Sequence, residues 1–150
     1  MKLSTKSRYG LRFMLDLAFH SSEGPVQLGV VARRQGIAVK YLEHIAARLK
    51  KANYITSVRG PKGGHLLSRP PEEINVAEVV TLLEGGMELA DCIYHAGVCD
   101  RSEHCVTRII WAEATDAVLE RLQAISLRDL MNRVPSVPGP EECDEEDEKP

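Results

Sequence analysis

Tyr54-Ile55-Thr56-Ser57-Val58-Arg59-Gly60-Pro61-Lys62-Gly63-Gly64-His65-Leu66-Leu67 decides the fold. It opens on β-branched and aromatic residues, turns through glycine and proline, and returns to apolar residues. That is the pattern of a β-hairpin, here with a tight, basic tip. Just before it, residues 39–52 place Tyr41/Leu42, Ile45 and Leu49 at helical spacing. The other face of that helix shows Lys40, Glu43, His44, Ala47, Arg48 and Lys51. Upstream, Gln35-Gly36-Ile37 reads as a turn, preceded by a short helix over about 27–34. Further back, Ser4 or Thr5 caps a first helix with Leu11, Met14, Leu15 and Ala18 on one side and Arg8 and Arg12 on another. Ser21-Ser22-Glu23-Gly24-Pro25 ends it.

Helix, helix–turn–helix and hairpin, in that order, predict a mainly α fold with a small β-hairpin wing: a winged helix-turn-helix. After Arg69-Pro70-Pro71 a further helix carries Val76, Val79, Val80 and Leu83 inward and stops at Gly85-Gly86. Residues 87–105 have no clean period and hold three cysteines. A long helix over about 106–124 shows Val106, Ile109, Ile110, Ala114, Ala117, Val118 and Leu122 on one stripe. Ser126-Leu127-Arg128-Asp129 is a capping motif for a last short helix. The expected organisation is a DNA-binding domain over 1–86, a cysteine-bearing sensor loop over 87–105, a dimerisation helix and C-terminal helix over 106–133, and a disordered acidic tail over 134–150.

The net charge of −3 conceals a strong asymmetry. Residues 1–70 carry 13 Lys/Arg against three acidic residues, a charge of +10, whereas residues 71–140 carry −7 and residues 141–150 carry −6. A basic half of this kind fits a polyanion, most simply double-stranded DNA. No apolar run approaches the roughly 20 residues of a membrane helix. Met1-Lys2-Leu3-Ser4-Thr5-Lys6 lacks the features of a secretory signal, so a cytoplasmic protein is expected. The Gly-rich turn lacks the Gly-Lys-Ser/Thr and following helix of a nucleotide loop. There is no nucleophile–base or paired-carboxylate arrangement, so an enzyme is not expected.

The second helix of a helix-turn-helix reads base edges in the major groove from its exposed side. The candidates there are Lys40, Tyr41, Glu43, His44, Arg48 and Lys51. A carboxylate facing DNA is costly unless it accepts a hydrogen bond, and cytosine N4 is the natural donor. Glu43 therefore reads as a specificity residue, with an intrahelical pair to Lys40 or Arg48 as the alternative. In the hairpin, Arg59 is suited to the minor groove, Lys62 to a phosphate, and Gly60, Gly63 and Gly64 to close backbone approach.

Tyr9-Gly10-Leu11-Arg12, Tyr41-Leu42-Glu43 and above all Val58-Arg59-Gly60-Pro61-Lys62-Gly63-Gly64 resemble the Rrf family of bacterial winged-helix regulators, over about residues 1–132. The resemblance implies a homodimer paired through the long C-terminal helix and binding palindrome-like operators. The broad apolar stripe on that helix suits such pairing.

Cys92, Cys99 and Cys105 are spaced C-x6-C-x5-C. In a cytosolic protein such clusters point to metal or redox chemistry rather than a disulfide framework. Zinc prefers a tight C-x2–4-C pair, which is absent, and wide loops suit an iron–sulfur cluster better. Asp91-Cys92 through Cys105-Val106-Thr107-Arg108-Ile109-Ile110-Trp111 is similar to the IscR and NsrR branch of the family. That implies Cys92, Cys99 and Cys105 as ligands of a cluster, 2Fe–2S favoured over 4Fe–4S, whose state changes DNA binding. Two positions depart from the branch. Arg108 stands where IscR-like proteins carry a histidine ligand, and Arg8 where NsrR-like proteins carry an acidic one. His104, His95, Glu103 or a small molecule remain as the fourth donor. A thiol redox switch, a zinc site or action through a protein partner is the cluster-free alternative. Cys143 reads as an incidental thiol, and Met14 and Trp111 as core.

Overall fold

The computed structural model describes residues 2–101 and 103–134, which form helices around one two-stranded hairpin. The helices are α1 (Thr5–Phe19), α2 (Leu28–Gln35), α3 (Val39–Lys51), α4 (Val76–Glu84), α5 (Val106–Gln123) and α6 (Leu127–Met131). The strands are β1 (Ile55–Val58) and β2 (Gly64–Leu67), antiparallel, with Ile55 opposite Leu67 and Val58 opposite Gly64. The expected winged helix-turn-helix is therefore present, with α2, α3, both strands and α5 each bounded within a residue of the expected place. The acidic tail beyond Val134, with Cys143, lies outside the described residues. No helix among the described residues is long and apolar enough to cross a membrane.

Local chemistry sets the helix ends. Ser4 caps α1, its hydroxyl accepting from the Ser7 N–H, and Asn75 caps α4 by accepting from the Glu78 N–H at 2.9 Å. α6 starts on a full capping box, with the Asp129 N–H donating to Ser126 Oγ at 3.0 Å and the Ser126 N–H to Asp129 Oδ2 at 2.9 Å. α2 ends at Gly36 in the left-handed conformation (φ 61°), which a side chain rarely adopts. That single residue makes the sharp turn between α2 and α3.

Phe13, Met14, Leu17, Leu42, Ile45, Leu49, Ile55, Leu83 and Leu127 are each under 2% exposed and form one core. Each contributes about 1.5–3 kcal/mol of burial. α1 crosses α4 closely because Gly10 faces Leu83: a Cβ at residue 10 would sit 2.1 Å from Leu83 Cδ1. α6 packs into this same core through Leu127. Two backbone bonds, Val76 N–H to Ile125 O (2.8 Å) and Leu127 N–H to Ile74 O (2.9 Å), join its start to that of α4.

α5 behaves differently. Thr115 is the one buried residue among its 18. Leu122 packs beside a small cluster of Val76, Val80 and Ile125, whereas Val106 (73% exposed), Ile109 (58%) and Ile110 (53%) face outward. Trp111, expected in the core, is 45% exposed. The start of α5 lies outside the buried core, so the described residues leave Trp111 only partly covered. Met14, expected in the core, is fully buried.

Candidate DNA interface and cysteine segment

α3 buries Leu42, Ile45, Ala46 and Leu49 and leaves Lys40, Glu43, His44, Arg48 and Lys51 exposed. Tyr41 is half-buried, its ring set edge-on to Tyr9 at 5.8 Å between centroids. The ion pairs among the described residues join Asp16 to Arg34 and His20, Glu78 to Arg69, and Glu72 to Arg128. Glu43 takes part in none, so the intrahelical pair weighed as its alternative role does not form. Arg48 is engaged within the fold: its guanidinium donates to Leu82 O at 3.0 Å and Leu83 O at 3.1 Å. It thereby meets the carbonyls at the negative end of α4 and fixes the recognition helix to it.

The wing is held as firmly. Val26 N–H donates to His65 O at 2.9 Å, His65 N–H to Val26 O at 2.8 Å, and Gln27 Nε2 to Pro61 O at 3.3 Å. These bonds fasten the hairpin to the segment entering α2. Arg59, Gly60 and Lys62 are exposed, and space is open where a Gly60 side chain would stand. Gly63 and Gly64 are glycines for internal reasons. A Cβ would lie 2.2 Å from Val58 O at the first and 2.4 Å from Val26 O at the second. Their lack of a side chain closes the turn and lets the hairpin touch residue 26. His65 packs edge-on against Phe13, and burial, then the positive charge of Lys50, pushes its imidazole below its ordinary pKa.

A polar network beneath this surface had no expectation attached to it. Asp16, fully buried on α1, accepts from Arg34 Nε at 3.1 Å and Nη2 at 2.5 Å and from Gln35 Nε2 at 3.0 Å. Arg12 in turn donates to Gln35 Oε1 at 3.0 Å and to the Gln35 carbonyl. The network locks α1 to the end of α2, just before the turn that aims α3. The signal was present: a carboxylate three residues after Phe13, on the apolar side of α1.

The cysteine segment runs along α5. Leu89 N–H donates to Thr115 Oγ1 at 3.2 Å and Tyr94 Oη to Asp116 Oδ1 at 3.3 Å. Arg108 donates from Nε to Cys92 O at 2.7 Å and from Nη2 to Ile93 O at 2.7 Å. Cys105 stands at the N-cap of α5, its Sγ 3.2 Å from Thr107 Oγ1. The Thr107 hydroxyl, then the Arg108 N–H, hold its thiol below the ordinary thiol pKa, favouring the thiolate. Beside it opens a cavity of about 460 Å³ lined by Ile93, His104, Cys105, Arg108 and Asp116, among others. Cys92 is half-buried and Cys99 exposed, and both are free thiols, as is Cys105. The donor types fit a thiolate-held centre. The chain by itself does not gather them: among the described residues no three His, Cys, Asp or Glu side chains are grouped to hold a metal ion.

Comparison with known proteins agrees with this architecture. A family profile described as Rrf2, iron-dependent transcriptional regulator, matches residues 3–133. The chain is 47% identical over 131 residues to protein rrf2 of Nitratidesulfovibrio vulgaris, covering 87% of each chain. It is 41% identical over 132 residues to the transcriptional regulator IscR of Photorhabdus laumondii, covering 88% of this chain and 80% of the other. Among solved structures, CymR, titled the global cysteine regulator of B. subtilis, superposes with a TM-score of 0.77 at 33% identity (89% and 98% covered). IscR of T. potens gives 0.73 at 37% identity (89% and 88% covered). These relatives are transcriptional regulators rather than enzymes. The chain belongs to the Rrf2 family and is a DNA-binding winged-helix transcriptional regulator.

Proposed function

We propose that this regulator acts as a cytoplasmic homodimer whose operator binding is controlled by an iron–sulfur cluster carried by Cys92, Cys99 and Cys105. The observation that carries the reading is that all three thiols lie on one segment fastened to α5, with Cys105 at its N-cap beside the Thr107 hydroxyl. The identity to IscR and the iron-dependent description of the family support it. The exposed Val106, Ile109 and Ile110 supply a face for pairing with a second copy beside the cysteines. A cluster held there would supply an oxidant-sensitive bond between the loop and the start of that face. Of the two cluster types, 2Fe–2S is favoured.

On the DNA side, Glu43 accepts from a cytosine amino group, while Lys40, Tyr41, His44 and Lys51 serve base edges and phosphates. Arg59 enters the minor groove, with Gly60 and Lys62 against the backbone. Arg48, Gly63 and Gly64 contribute by holding the helix and wing in place.

Anaerobic purification tests the cluster. The account expects a coloured protein with bound iron and sulfide, both lost when Cys92, Cys99 and Cys105 are replaced by Ala. A colourless anaerobic protein without iron would overturn it. A second reading, a cluster-free thiol switch, is favoured by the similarity to CymR and by the ungathered thiols. It expects no iron, and a loss of titratable thiols on peroxide treatment that changes DNA binding.

A further inference from the structure

Arg108 is the third residue of α5, yet its side chain works on the far end of the cysteine segment. Nε and Nη2 bond the successive carbonyls of Cys92 and Ile93, each at 2.7 Å. Ile93 is only 5% exposed, and its own N–H bonds Ala90 O at 3.1 Å. We propose that Arg108 is the positioning residue of the cysteine segment, clamping its Cys92 end onto the same helical turn that carries Cys105. A planar guanidinium can bridge two neighbouring carbonyls only when both face it, so the bond pair fixes the direction of the peptide after Cys92 as well as its place. These bonds are charge-assisted and partly shielded from water, which strengthens them relative to neutral surface contacts.

The stretch between the clamped ends carries local bonds and, at Tyr94, the bond to Asp116 on α5. Val98 N–H reaches His95 O at 3.2 Å and His104 N–H reaches Arg101 O at 3.1 Å. Cys92 and Cys105 are thus fixed with respect to one helix, and Cys99 is carried on the arch between them. Where the resemblance implies a histidine ligand, this chain has a residue that organises the site through backbone carbonyls. The clamp is built from this chain's own atoms, and only its consequence for a cluster rests on the function proposed above.

The test is amide hydrogen exchange on the stripped, reduced full-length protein, with Arg108→Ala and Arg108→Lys. Lysine keeps the charge but not the fork. Both variants are expected to speed exchange at Ile93 by at least about tenfold while α1 and α4 keep their protection. In the iron- and sulfide-loaded protein, Arg108→Lys is expected to bleach in air at least about threefold faster. Unchanged exchange at Ile93 in Arg108→Lys overturns the proposal, and so does bleaching at the wild-type rate. Should Arg108→Ala lose protection throughout, the Arg108→Lys comparison decides. A wild-type protein that never holds iron would remove the cluster reading alone, because the exchange result is read without it.

Discussion

At the scale of single residues, two side chains of the DNA face are expected to fail in different ways. Glu43→Ala removes a base-edge acceptor and should relax preference at one operator position while leaving affinity for other sequences nearly unchanged. Arg59→Ala should weaken binding by about 1–3 kcal/mol. Selection of bound fragments from a random pool, followed by titration, separates the two. Equal loss of affinity on all sequences for Glu43→Ala would contradict its assignment. His65 yields a pH prediction. Its folded pKa lies below the unfolded value near 6.5 because burial disfavours the charged imidazole. Its stabilising share is therefore complete above that value and is lost as pH falls from about 6.5 through the lower folded pKa. Melting temperatures between pH 8 and 5 should decline less steeply in His65→Gln; an identical slope would show that the residue is not responsible. Exposure of Lys40, Glu43, His44 and Lys51 was legible from helical spacing alone. The engagement of Arg48 was not, because its acceptors lie 34 and 35 positions away and on another helix.

At the scale of elements, the helix-turn-helix, the wing and the last helix were legible because local chemistry specifies them: Gly36 at the turn, a β-branched run before a glycine tip, and the capping motif at Ser126. Contacts between elements were less so. Gly63 and Gly64 read as a phosphate approach, whereas the structure explains them by the close passage of Val58 and Val26. Gly10 carried no expectation beyond its place in a motif, yet it sets the α1–α4 distance. Gly10→Ala gains helix propensity but must displace Leu83 in a filled core, and overpacking of this sort costs about 1–3 kcal/mol. Urea unfolding should show a lower midpoint at an unchanged slope, and a raised midpoint would mean that α1 and α4 can move apart freely. Trp111 was misjudged because a large aromatic side chain reads as core by its type alone, without saying what covers it.

At the scale of the whole molecule, the charge asymmetry acquires a location. The basic residues 1–70 build the helix-turn-helix and wing, and the acidic remainder supplies the cysteine segment and α5. Repulsion between that half and DNA favours the wing and α3 as the approaching face. Lys40, Lys51, Arg59 and Lys62 on two subunits would neutralise about eight phosphates, so log affinity should fall with log salt at a slope of roughly −7. A slope near zero would exclude this face. Control by the cysteines then requires that the cluster-loaded and stripped dimers differ in how they hold the two DNA-binding faces, a coupling of a few kcal/mol at most. The most direct measurement is the affinity of one selected operator fragment for the iron- and sulfide-loaded protein and for the same preparation stripped of both, at one salt concentration. The account predicts at least about a fivefold difference between them; equal affinities would contradict cluster control of DNA binding.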